Sequence, residues 1–141
     1  MRIIGLDLGE KRIGVAAADD RTRVAVPLTA LAAGNDPVAA ISGLLKEQGA
    51  DEVVIGLPLS MTGAVGPEAE QALRVVEELR RRLIMPVHTW DERLTTVQAS
   101  RSHAPRKRGG RRFEENKGRK DAVAAAIVLQ AFLDSRRPVR G

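Results

Sequence analysis

MRIIGLDLGEKRIGVAAA, residues 1–18, reads as an apolar strand, a tight turn and a second apolar strand. Ile3, Ile4, Leu6 and Leu8 surround one carboxylate, Asp7. Side chains alternate along a strand, so Asp7 shares a face with Ile3 and Gly5. A carboxylate near the end of a buried strand is costly unless something pairs with it. Gly9 closes the strand, Glu10-Lys11-Arg12 turns the chain back, and Gly14 comes opposite. There the lack of a side chain lets a backbone or ligand approach. A plain hairpin with a solvated Asp at its end also satisfies these residues, so the meaning of Asp7 depends on whether later segments bring acids to it.

Outward from this hairpin, Arg23–Leu31 reads as a third strand, with Pro27 marking an edge strand or a bulge. Three short strands in succession predict an antiparallel meander. Asp36 as N-cap and Pro37 at the first helical position open a helix with an apolar stripe of Val38, Ile41, Leu44 and Leu45, ended by Gly49. Asp51–Leu57 is a short continuous apolar run, as in a buried parallel strand. The loop Pro58–Gly63 follows at its carboxyl end, where open α/β sheets place ligands. A second helix starts at Gly66-Pro67-Glu68, with Ala69, Leu73, Val76, Leu79 and Leu83 at helical spacing. Arg80, Arg81 and Arg82 read as its solvated C-terminal end. Pro86–Trp90 is a fifth strand running into Asp91-Glu92-Arg93, and a further helix is expected from near Thr95 to Ala104. Asp121–Leu133 is the last helix, and Arg136–Gly141 a basic tail.

The 141 residues suit one domain, with 43% hydrophobic and 29% charged residues typical of a soluble globular chain. No apolar run approaches the roughly 20 residues of a membrane helix, and the chain enters a strand with no leader pattern. Cysteine is absent, which removes disulfides and thiol-bound zinc, and the cytoplasm is the simplest location. A net charge of +5 favours a polyanionic partner. One Trp, two Phe and no Tyr argue against a base-stacking single-strand binder. The segment 105–120 has no apolar periodicity and carries Arg106, Lys107, Arg108, Arg111, Arg112, Lys117, Arg119 and Lys120 against Glu114 and Glu115. It is expected to be a flexible basic loop, disordered when alone, that clamps a phosphate backbone.

Three places carry an acid in an apolar setting: Asp7, the pair Asp91-Glu92 at a strand end, and Asp121. Alternation lets only one of Asp91 and Glu92 point at Asp7, without saying which. Asp121 shares a helical stripe with Ala125, Val128, Leu129 and Phe132, and so faces the sheet. Singly, each has a structural explanation: Asp121 meeting a helix dipole, Asp91 capping a helix, Glu92 pairing with Arg93. Gathered together they would repel, and divalent cations remove that repulsion. Oxygen-only ligands suit magnesium or manganese, and a pair of such ions can activate water and stabilise the leaving oxygen of a phosphodiester. Arg93 and Lys120 are candidate phosphate contacts. His88 and His103 are not needed as bases.

GLDLGEKRIGVA, VVIGLPLSMTG with GPEA, DERLTT and DAVAAAIVLQAFL, in this order, resemble the YqgF/RuvX family of bacterial nucleases, described as Holliday junction resolvases or pre-16S rRNA processing nucleases. Ser60 and Thr62 stand where the family loop carries Asn and Asp. The resemblance implies a ribonuclease H-like α/β fold, a mixed five-stranded sheet of three antiparallel strands then two parallel, flanked by helices. It also implies an Asp-Glu-Asp metal site, carried over by position to Asp7, Glu92 and Asp121, with Mg2+ or Mn2+, two ions, as cofactor. Branched DNA or structured precursor rRNA is the implied partner. Two symmetric cuts in a four-way junction favour a homodimer, with the helix after Glu92 its nearest candidate interface. Two rivals remain at this point: a non-catalytic binder of structured nucleic acid, and an ATP-binding module like actin and the sugar kinases. For the second, the chain is too short.

Overall fold

The computed structural model describes residues 1–9, 11–59, 62–94 and 117–136. Five strands form one mixed sheet in the order β3-β2-β1-β4-β5. They are β1 (Arg2–Leu8), β2 (Arg12–Asp19), β3 (Val26–Ala32), β4 (Glu52–Leu57) and β5 (Val87–Asp91). β1–β2 and β2–β3 are antiparallel; β1–β4 and β4–β5 are parallel. Three helices are described: α1 (Pro37–Gln48), α2 (Pro67–Arg82) and α3 (Lys117–Ser135).

Alternation along the central strand divides the core. Ile4 and Leu6 point to one face, where Ile41, Leu44 and Leu45 of α1 and Val75, Val76 and Leu79 of α2 cover them. Ile3 points to the other, against Ala125, Leu129, Phe132 and Leu133 of α3. Each fully buried Ile or Leu in these layers contributes about 1.5–3 kcal/mol. α1 is closed at both ends as its sequence predicts. Asp36 accepts the Ala39 N–H at 3.1 Å, and Gly49 takes the left-handed conformation at φ +64°. No helix among the described residues is long and apolar enough to cross a membrane.

Several boundaries differ from the sequence reading. The third strand begins at Val26, because Arg23 has left-handed backbone (φ +57°) and its side chain reaches the carbonyls of Leu133 and Arg136. The strand is an edge strand, and the β2–β3 register breaks between Val15 and Ala16, beside Pro27, so Pro27 marks both an edge and a bulge. Glu92–Leu94 are already helical, ahead of the expected start near Thr95. Asp91 accounts for the early start by accepting the Arg93 N–H at 3.0 Å, as an N-cap does. α3 begins at Lys117 rather than Asp121, so Lys117, Gly118, Arg119 and Lys120 form its first turn and not the end of a loop. Burial of Ala122 against the sheet extends the helix backwards past the point where the apolar periodicity begins. Arg80 is not simply solvated: Nε and Nη2 donate to the Val87 carbonyl at 3.1 and 2.7 Å, tying α2 to β5.

α3 carries Asp121, and a polar cluster secures its far end. Glu52, only 5% exposed, accepts two hydrogen bonds from the Arg136 guanidinium, both at 2.9 Å, and lies 2.9 Å from His88 Nε2. Arg136 lies over the Phe132 ring, 4.7 Å from its centroid, and His88 packs on the same ring at 5.1 Å. The Arg136 guanidinium holds the Glu52 carboxyl down at about 2. His88 therefore serves the packing beneath the end of α3, and His103 lies outside the described residues.

Candidate active site

One row of residues crosses the sheet at the carboxyl end of β1: Ala30, Gly14, Asp7, Gly56, Trp90. Asp7 is the only side chain in the middle of this row, because both its neighbours are glycines. Each glycine is required by what lies over it. A Cβ on Gly14 would stand 1.9 Å from the Asp121 carbonyl oxygen, and one on Gly56 would stand 2.5 Å from Glu92 Oε2. The backbone of α3 thus rests on one side of Asp7 and the Glu92 carboxyl on the other. A Cβ on Gly5 would likewise meet Leu129 Cβ at 2.7 Å, so β1 and α3 are in close approach along their length.

The choice between Asp91 and Glu92, open in the sequence, follows from this row. Trp90 belongs to it, and Glu92 reaches back over Gly56 on the same side. Asp91 turns elsewhere and pairs with Arg93, whose Nε donates at 3.0 and 2.9 Å. That guanidinium lowers the Asp91 carboxyl below its ordinary value. Arg93 also lies against the loop after β4, where a Cβ on Gly63 would stand 3.2 Å from Arg93 Nη1.

Burial pushes the Glu92 carboxyl up to about 8, helped by a hydrogen bond to Asp7 and the negative charge of Asp7, with smaller contributions from Asp91 and Glu68. The nearby charge of Asp7 adds to the cost of ionising Glu92, so Glu92 keeps its proton at neutral pH. Asp121 is not part of this contact. Its Oδ2 accepts the Arg12 Nε–H at 2.6 Å. Accordingly, among the described residues no three acids are gathered closely enough to hold a metal as they stand. Of the three acids named from sequence, the structure brings Asp7 and Glu92 together and seats the backbone of Asp121 beside them, with its carboxylate turned to Arg12.

The donor set nevertheless suits a hard divalent cation. It is made of carboxylate oxygens only, the buried Glu92 carboxyl holds a proton that a cation would replace, and glycines clear the space around Asp7. Arg12 is the residue that the sequence reading passed over. The available signal was its place two residues before Gly14, which puts both on the face that carries Asp7. Of the expected phosphate contacts, Arg119 and Lys120 lie exposed on the first turn of α3, and Lys117 is in the same turn. Arg106, Lys107, Arg108, Arg111 and Arg112 lie outside the described residues, as do Ser60 and the expected dimer-forming helix beyond Leu94.

The family model RuvX, Holliday junction resolvase, matches residues 1–135. A protein of Caldanaerobacter subterraneus subsp. tengcongensis, named as a proposed pre-16S rRNA nuclease, is 40% identical over 141 residues, covering 97% of this chain and 99% of that protein. A Chloroflexus aurantiacus protein with the same name is 43% identical over 137 residues, 96% of this chain and 88% of that one. Among solved structures, Thermus thermophilus RuvC in complex with a Holliday junction substrate aligns at TM-score 0.56 and 16% identity, over 96% of both chains. The Fowlpox virus resolvase bound to Holliday junction DNA aligns at TM-score 0.61 and 9% identity, over 98% of this chain and all of that one. At such identities the two structures speak for the fold, which is ribonuclease H-like.

Proposed function

The chain belongs to the RuvX family and is a nuclease, a hydrolase of phosphodiester bonds, and we propose that it cuts internally in structured nucleic acid through a divalent-metal site built on Asp7, Glu92 and Asp121. The observation that carries this proposal is the glycine-flanked Asp7, with the Glu92 carboxyl over one glycine and the backbone of Asp121 over the other. Residues 1–141 act as one ribonuclease H-like domain. Bound Mg2+ or Mn2+, as a pair of ions, supplies an activated water and a stabilised leaving oxygen.

The chain's own residues do the rest. Asp7, on the central strand, would help to hold the ions, from a seat fixed by its pairing with β2 and β4. Glu92 would have to give up its proton to act as a ligand, so it would hold a cation better as pH rises towards about 8. Asp121 would supply the third carboxylate from α3, whose register is held at the opposite end by Glu52 and Arg136. The Asp91–Arg93 pair sets the direction of the chain just after β5, and so the direction of Glu92. Arg119, Lys120 and the basic segment before them would hold backbone phosphates on the α3 side. Such contacts read shape and charge more than bases, which suits a branched DNA or a folded precursor rRNA. A cysteine-free chain acting on such substrates fits the cytoplasm. Two coordinated cuts would call for a homodimer.

The test uses a labelled four-way DNA junction and a labelled precursor 16S rRNA 5′ segment, each with Mg2+, Mn2+ or a chelator. Metal-dependent internal cutting of one or both is expected, and the faster substrate names the role. Binding of both with cutting of neither, under all metal conditions, would refute the nuclease mechanism.

A further inference from the structure

Arg12 is placed by the turn between β1 and β2. The Gly9 N–H donates to its carbonyl at 3.0 Å, which fixes where β2 begins. Its Nε–H···Oδ2 bond to Asp121 is the only hydrogen bond of that carboxylate among the described residues. The pair is open to solvent, with side chains 39% and 32% exposed, and so is readily exchanged for another cation. Arg12 also lines a groove between β3 and the first turns of α3, together with Thr29, Ala30, Gly118, Arg119 and Ala122.

We propose that Arg12 is a displaceable counter-ion, holding Asp121 while the acid site is metal-free and passing to a phosphodiester oxygen of the strand in the β3–α3 groove once a divalent cation takes that carboxylate. This rests on the metal-nuclease mechanism above. A divalent cation and a guanidinium against one carboxylate repel each other, and at equal distance the doubly charged ion is attracted more strongly. Asp121 already has its backbone over Gly14, one strand away from Asp7, so it is the direction of its carboxylate that has to change. A freed guanidinium presents a planar fork of donors, which matches two phosphate oxygens. Arg119, on the same groove, then continues the path of positive charge. Arg12 is on this account a positioning residue for Asp121 in one state and a substrate contact in the other.

The test compares wild type with Arg12→Gln, using Mn2+ alone for the first readout. Titration followed by electron paramagnetic resonance should show Mn2+ bound about tenfold more tightly by R12Q, because its competitor is gone. A merely structural Arg12 would leave the affinity unchanged or weaken it, and either result overturns the proposal. The second readout is binding of a labelled four-way DNA junction in Ca2+, where cutting is suppressed. R12Q should bind several-fold more weakly, with a salt dependence lower by about one released counterion. Unchanged affinity and slope would overturn the transfer to phosphate. In cleavage at saturating metal, KM should rise while kcat stays within about threefold. Should R12Q fold poorly, wild type alone decides through the Arg12 Nε–H nuclear magnetic resonance signal, assigned with Arg12→Lys. Mg2+ should abolish its hydrogen-bonded shift; persistence of that shift would overturn the proposal. Asp7→Asn separates the two levels of inference. If wild type binds no Mn2+, or binds it equally well without Asp7, the metal site itself fails. If binding needs Asp7 but ignores Arg12, only the counter-ion role fails.

Discussion

Replacing Glu52 by Gln should destabilise the protein strongly at neutral pH and progressively less as pH falls towards about 2. Gln keeps the volume of Glu and a side-chain oxygen for Arg136 or His88, so the change removes charge and little else. Glu52 is 5% exposed and takes both 2.9 Å bonds from Arg136. Its carboxyl is held at about 2 against an ordinary 4.5, chiefly by those bonds. That displacement corresponds to about 3 kcal/mol, a large share of the 5–15 kcal/mol typical of whole domains. The sign follows from the direction. A carboxyl lowered in the folded state stabilises it fully above the unfolded value, and that stability is lost as pH falls through the folded value. Urea unfolding of wild type and E52Q should therefore differ by about 3 kcal/mol at pH 7 and by about half that at pH 3. A difference that is the same at both pH values would refute the charge argument. A difference below about 0.5 kcal/mol at pH 7 would show that Arg136, 40% exposed, is satisfied equally well by water.

Glu92→Gln should behave in the opposite sense. The Glu92 carboxyl is raised to about 8 in the metal-free fold, so that fold loses stability as pH climbs from about 4.5 through about 8. In a chelator, E92Q should melt near wild type at pH 5 and higher than wild type at pH 9; a lower melting temperature at both would contradict this. Proton release on Mn2+ binding, read by calorimetry in buffers of different ionisation enthalpy, should approach one proton near pH 7. Gly56→Ala forces a Cβ to 2.5 Å from Glu92 Oε2, so it should cost cleavage far more than stability. Gly14→Ala meets backbone at 1.9 Å, must lift α3, and should cost about 1–3 kcal/mol as well as activity. Gly43→Ala, with open space around it in α1, is the control and should stabilise by about 0.5–1 kcal/mol, read by thermal unfolding.

Much of this fold was legible because its signals are local. Asp36-Pro37 and Gly49 bracket α1, and continuous apolar runs mark β1, β2 and β4, as strands buried on both faces must be. Gly14 announced a close approach that the Asp121 backbone makes. Non-local pairings were not legible. Glu52 in the run DEVVIGL looks like a solvated strand end until Arg136 and His88 meet it from distant segments. Arg80, one of three consecutive arginines, is set apart from Arg81 and Arg82 only by facing the Val87 carbonyl. The first turn of α3 was hidden because Gly118 and its basic neighbours carry no apolar period, and contact with β3 decides their state. At the site, the positions of Asp7 and Asp121 follow from strand and helix periodicity, but the pairing of Asp121 with Arg12 spans 109 residues. No local pattern encodes it.

The central claim is that Asp7, Glu92 and Asp121 act together as a metal-loaded cutting site. The most direct measurement is cleavage of a labelled four-way junction and of a precursor rRNA 5′ segment by wild type, Asp7→Asn, Glu92→Gln and Asp121→Asn in Mn2+, with binding followed in parallel in Ca2+. Cutting should be lost in all three variants, by at least about a thousandfold, while each still binds the substrate that wild type cuts. A variant that binds and still cuts at the wild-type rate would remove its residue from the site, and survival of cutting in Asp7→Asn would contradict the account as a whole.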